Sequence, residues 1–132
     1  MASTYSALKI ELIATGEQSG TWGVTTNTNL GTALEEAIVG RATANFTSDA
    51  DLTISLTNTN ATQTARNYIL NVTSDVSLST TRNLIVPTIN KPYIIENSTT
   101  GSQSIIVKTA SGTGVTVPNG AVAMVYANEI GR

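Results

Sequence analysis

From Gly40 onward, apolar residues recur at every second position in short runs, separated by stretches rich in Gly, Pro, Asn and Ser. That period belongs to a strand with one buried face, because successive side chains of an extended backbone point to opposite sides. Leu52, Ile54 and Leu56 make the cleanest set; Ala42, Ala44 and Phe46, then Tyr68, Leu70 and Val72, then Val76 and Leu78 follow the same phase. Leu84-Ile-Val86 is a continuous apolar run of the kind buried on both faces, and Pro87 and Pro92 beside it place that region at a sheet edge or bend. Tyr93 to Ile95, Ile105 to Val107, and Val115 with Val117 continue the series. Pro118-Asn-Gly120 is the strongest hairpin signal, with Val122, Met124 and Tyr126 as the returning strand. About eight short strands at roughly 8–15 residue spacing predict a mainly β fold, an antiparallel β-sandwich or jelly-roll-like domain with one short N-terminal helix.

The helix is the exception to this pattern. Leu30, Ala33, Leu34, Ala37 and Ile38 fall at i, i+3, i+4, i+7 and i+8, an apolar stripe of helical period. Asn27 or Asn29 is placed to cap its start, and Gly40 to end it in a left-handed conformation. Glu35 and Glu36 lie off the stripe and are expected in solvent. Trp22, the single tryptophan, stands between Gly20 and Gly23. It is expected to pack beneath the helix stripe; the alternative is an anchor inserted into a neighbouring subunit, as aromatic residues often are at interfaces. Ahead of it, Met1 to Ser6 reads as a loose arm, and Leu8, Ile10 and Leu12 as a half-buried strand. Residues 1–40 thus form an attachment or packing head and residues 41–132 a β body, within a single domain. Trp22, Asn27, Leu30, Leu34 and Ile38 are the candidate assembly residues.

The chain has no histidine and no cysteine. The commonest general base, the commonest metal ligand and every thiolate chemistry are therefore missing. The paired carboxylates, Asp49 with Asp51 and Glu35 with Glu36, read as turn residues and a solvated helix face. Asp49 and Asp51 as oxygen ligands for Ca²⁺ are the less favoured reading. Gly112-Thr-Gly114 precedes a strand and so lacks the helix N-terminus that holds a phosphate. A non-enzyme without cofactor is expected. Charged residues make up 12% of the chain and the net charge is −2, too little positive charge for nucleic-acid binding. No apolar run is long enough for membrane insertion, and no signal peptide opens the sequence. The Thr57–Thr64 segment, with no apolar period, is expected as an exposed loop. The four Asn-x-Ser/Thr sites, at Asn45, Asn60, Asn71 and Asn97, are what an Asn-, Ser- and Thr-rich chain gives by chance.

Ser19-Gly-Thr-Trp-Gly23, followed by Thr26-Asn-Thr-Asn-Leu30 and a short helix, resembles the head of a group of virion proteins from tailed phages, particularly those of marine bacteria and cyanobacteria. The resemblance extends through Arg82-Asn-Leu-Ile-Val-Pro87, Lys91-Pro-Tyr-Ile-Ile-Glu-Asn97 and the stretch from Val107 to Gly120. It implies a tail-fibre-like or fibre-attachment structural protein, a homotrimer meeting other virion proteins, located in the phage particle and made in the host cytoplasm. In that group the last strand often runs into an Asp-Gly-Thr-Asn turn and further sequence; here it reads Tyr126-Ala-Asn-Glu-Ile130 and stops. The early stop gives weight to a second role, a capsid decoration or cement protein. A third is a host-glycan-binding module using the Thr57–Thr64 loop or exposed tyrosines.

Overall fold

The computed structural model describes residues 3–128; the first part of the expected N-terminal arm and the end of the chain lie outside them. A small antiparallel hairpin, β1 (Thr4–Tyr5) with β2 (Glu11–Leu12), comes first. A helical run follows, α1 (Trp22–Thr28) and α2 (Glu35–Val39), joined without a break by a π-helical segment (Asn29–Leu34). The body consists of β3 (Arg41–Phe46), β4 (Leu52–Thr53), β5 (Ile69–Ser74), β6 (Arg82–Ile85), β7 (Lys91–Asn97), β8 (Ile105–Lys108), β9 (Val115–Val117) and β10 (Val122–Ala127).

The body is mainly β and built from two four-stranded sheets, in the orders β10-β7-β5-β3 and β4-β6-β8-β9. Within them the pairing is mixed where antiparallel strands were expected: β3–β5, β5–β7, β4–β6 and β6–β8 are parallel, and only β7–β10 and β8–β9 are antiparallel. The cause is how the chain winds. Strands from β3 to β8 alternate between the two sheets, so each pass stacks beside the previous pass in the same direction. Parallel neighbours need a long crossover, and here the opposite sheet is the crossover. After β8 the chain reverses, and β9 and β10 retrace the third coil backwards.

Register places like against like. Ala42, Leu70, Ile95 and Ala123 form one inward row across the first sheet, and Leu52, Leu84 and Val107 one across the second. With Phe46, Val72, Leu78, Val86, Tyr93, Ile105, Val117, Val125 and Ala127 they build one core between the sheets. At about 25 cal/mol per Å² of apolar area removed from water, such rows carry most of the stability. Buried Asn97 ties the sheets together at one corner, its Nδ2 donating to the carbonyls of Gln103 and Val117 and its Oδ1 accepting from the backbone and hydroxyl of Thr99.

Several local expectations are corrected. Pro118-Asn-Gly120 makes its turn, with Gly120 at φ 79°, but it joins β9 to β10 in different sheets and is a corner, not a hairpin. Pro92 lies in an interior strand, tolerated because pairing with β5 begins only at Ile94, beyond the proline. Leu84 and Val86 are buried, while Ile85 between them faces outward and is half-buried. The returning strand is in the opposite phase. Ala123, Val125 and Ala127 face the core, where small residues fit opposite Tyr93 and Ile95, and Val122, Met124 and Tyr126 face out. The Leu8, Ile10 and Leu12 alternation does not form a buried strand: Lys9 turns at φ 63°, and Leu12 is exposed.

Candidate assembly surface

Seen from its own residues, the helical run is mounted inside out. The face turned to the body carries Thr25, Asn29, Ala33 and Glu36, spaced one turn apart. The Thr25 hydroxyl donates to Gln18 Oε1. Asn29 mimics a strand edge: its Oδ1 accepts from the Glu11 N–H at 2.9 Å and its Nδ2 donates to the Glu11 carbonyl at 2.8 Å, which fixes β2 against the helix. Ala33 is fully buried. Glu36 reaches Arg66.

Arg66 holds this arrangement together. It belongs to a short 3-10 turn (Thr64–Arg66) and is completely buried. Its Nη1 donates to Glu36 Oε1 at 2.9 Å and to the Ala61 carbonyl at 2.7 Å; its Nε donates to the Leu8 carbonyl at 2.7 Å and its Nη2 to the Thr59 carbonyl at 2.8 Å. One guanidinium thereby ties the N-terminal hairpin, the helix and the loop before β5 into a unit. Its planar fork of five donors suits such a site as a lysine would not. A buried charge needs these partners, since leaving one unpaired costs several kcal/mol. Glu36 is therefore an ion-pair partner and not the solvated residue expected. The Thr57–Thr64 segment is a loop, as expected, but Gln63 and Arg66 pin its carbonyls from within.

With the polar face held inward, the apolar stripe looks out. Leu30 and Ile38 are 57% and 60% exposed, Leu34 is half-buried, and Leu30, Gly31, Leu34, Glu35, Ile38 and Val39 line an open groove. Trp22 is 61% exposed at the start of the run, so it does not pack beneath the stripe. Asn27 is exposed and supplies no cap; Thr21 precedes the first turn without a capping side-chain bond. The structure thus brings Leu30, Leu34 and Ile38 together and leaves Trp22 and Asn27 outside the groove lining. Gly40 ends the helix at φ −69°, ψ 144°, extended and not left-handed. Its glycine is required by space: a Cβ would stand 2.2 Å from Asn67 Oδ1 and 2.5 Å from the Glu36 carbonyl oxygen.

The remaining candidate groups are used in packing. Asp49 accepts from the backbone and hydroxyl of Ser79 and from Arg82 Nε at 2.9 Å. The Arg82 and Ser79 hydrogen bonds hold its carboxyl down to about 2. Asp51 accepts from the backbone N–H and Nδ2 of Asn83. Both aspartates clamp the first coil onto the second. Gly114, at φ 83°, closes the loop between β8 and β9. Among the described residues no group of three or more acidic side chains is placed to hold a metal ion, and no helix is long and apolar enough to cross a membrane. No protein-family model matches the chain, and no curated protein or solved structure is significantly similar to it.

Proposed function

We propose that this protein is a non-enzymatic bacteriophage virion subunit, tail-fibre-like or fibre-attaching, that works by assembling with copies of itself and with other virion proteins. The inverted helix carries this reading. An amphipathic helix normally buries its apolar stripe; here the subunit buries the polar face and fixes it with an ion pair. The stripe is left for a partner, since large apolar surfaces on soluble domains mark interaction sites. The resemblance of the Ser19–Gly23 and Thr26–Leu30 segments to phage virion proteins supplies the setting, and a homotrimer in the particle is the expected assembly. Trp22 and Tyr126, the exposed aromatics a glycan would stack on, lie on separate elements, which favours assembly over sugar binding.

The test is the oligomeric state. The wild type should sediment as a stable trimer, and Ile38→Glu should sediment as a monomer with an unchanged circular dichroism spectrum. A wild type that stays monomeric at high concentration, or an Ile38→Glu variant that assembles normally, would refute assembly through this helix. Labelled copies located on purified particles by electron microscopy would separate a tail position from a decorating position on the capsid.

A further inference from the structure

Among the described residues the two body sheets end on β3 and β10 and on β4 and β9. An open sheet edge presents unpaired backbone donors and acceptors, and proteins keep such edges from pairing by charge, proline or short length. Three of these edges are guarded in that way. β3 begins on Arg41, β4 is 2 residues long, and β9 is 3 residues long and ends against Pro118. β10 is unguarded: its 6 residues, Val-Ala-Met-Val-Tyr-Ala, hold no charge and no proline and pair with β7 in unbroken register.

Backbone direction decides which groups are free. Successive residues of a strand turn their N–H and C=O to opposite sides. In β7 the Ile94 and Ser98 N–H groups donate to Tyr68 and Val72 on the β5 side, and the Asn97 N–H donates to Ala121 on the β10 side. Lys91, Tyr93 and Ile95 share the phase of Asn97, so they bond to Ala127, Val125 and Ala123 opposite them. The N–H and C=O of Val122, Met124 and Tyr126 are left on the open side, where no described strand lies alongside.

These groups are complementary to themselves. A second β10, turned about a two-fold axis through Met124, sets Met124 against Met124 and Val122 against Tyr126, and every free group meets its partner. Val122 with Tyr126 is a β-branched–aromatic pair, a favoured combination across strands. No like charges are opposed, since Glu96, opposite Val122 on β7, is held by Arg41 at 2.8 Å. We propose that the free edge of β10 pairs antiparallel with β10 of a second copy, joining two β bodies end to end in a self-matching contact. One strand against one strand falls short of the roughly 1,200 Å² of a stable complex, so dilute subunits are not held together by it. Copies already fixed beside one another gain it through their effective concentration. It uses no residue of the helical groove.

The chain has no cysteine, so single-cysteine variants report the register. At the two-fold axis the Met124 Cα atoms would stand about 5.5 Å apart, within disulfide reach. Two Val122 positions, or two Tyr126 positions, would stand about 14 Å apart. Under mild oxidation of concentrated protein, Met124→Cys alone should cross-link to a dimer. Val122→Cys and Tyr126→Cys should each cross-link several-fold more slowly alone, and faster when mixed with one another. Adding Val122→Pro to the Met124→Cys chain removes an edge donor but no bond to β7; it should slow the cross-link several-fold with an unchanged circular dichroism spectrum. Equal rates at all positions, alone and mixed, would mean chance collision and overturn the pairing. A Met124→Cys chain that does not cross-link would also overturn it and leave the edge to a strand of another protein. The same series in Ile38→Glu chains separates this contact from the groove: the same pattern there sustains the strand pairing whether or not the helix assembles.

Discussion

Lys91 is an amine inside the β body, and replacing it with methionine should make the protein more stable. The residue is 3% exposed, and its Nζ lies 4.4 Å from the ring centre of Tyr93 and 5.6 Å from that of Tyr68. Its hydrogen bond to the Pro92 carbonyl is long, at 3.3 Å. Burial pushes the amine down from 10.5 to about 8. At about 1.4 kcal/mol per pH unit, holding the charged form in this site costs about 3 kcal/mol at neutral pH. The two rings attract the cation and return about 1–2 kcal/mol of that. Lys91→Met keeps the unbranched shape and a soft contact with the rings, so the variant should gain about 1–2 kcal/mol at pH 7. The sign of the pH dependence follows from the same shift. Between pH 8 and 10.5 the unfolded chain holds the proton and the native protein does not, so wild-type stability rises with pH across that window, while below 8 the penalty is present in full. Tyr93, raised by burial, pulls the other way only where unfolded tyrosine ionises, near pH 10 and above. Urea denaturation at pH 7, 8, 9 and 9.5 measures both effects, with unchanged m values establishing that the midpoint shift reports stability. A Lys91→Met variant less stable than the wild type at pH 7, or a wild-type stability flat from pH 8 to 9.5, would refute the reasoning.

Three other substitutions probe the head and the core. Glu36→Ala leaves the Arg66 charge buried without its carboxylate and should cost about 3–5 kcal/mol in urea denaturation, with faster proteolysis at the Gly16–Gly20 turn as the helix loosens. Gly40→Ala drives a methyl group into the Glu36 carbonyl and Asn67 and should cost about 1–3 kcal/mol; a thermal melt unchanged from wild type would contradict the close approach. Thr109 has a buried hydroxyl with no hydrogen-bond partner among the described residues, and Thr109→Val, nearly the same shape, should raise stability by about 1 kcal/mol by chemical denaturation.

Most strand positions were legible because alternation reports directly which side chains share a face, and Leu70, Val72, Tyr93 and Ile95 lie where their phase puts them. Partner and direction were not, because alternation says nothing about which strand lies alongside. The interval between stacked residues also changes, from Arg41 with Ile69 to Ile69 with Ile94, so no repeat shows in the sequence. The helix misled for a different reason. Its apolar stripe is real, but reading a stripe as core-facing assumes that the subunit buries it. Arg66 overrides that assumption by anchoring Glu36, and the pair is separated by a loop whose closure no local pattern announces. The missed face was present as Thr25, Asn29, Ala33 and Glu36, a second series at helical spacing made of small and hydrogen-bonding residues. In β10 the alternating alanines Ala123 and Ala127, with Ala121 just before the strand, were the sign that the large residues point away from the core.

The reversal after β8 bears on how such a chain can change in length. Each parallel pass meets only the passes beside it, so a further circuit of chain can enter between β6 and β7 and find the same rows of neighbours on both sides. The retracing strands β9 and β10 are matched to whichever circuit comes last and close the stack there. Lineages of this fold should therefore grow and shrink by whole circuits in the middle, with the helical head and the reversed pair kept as fixed ends.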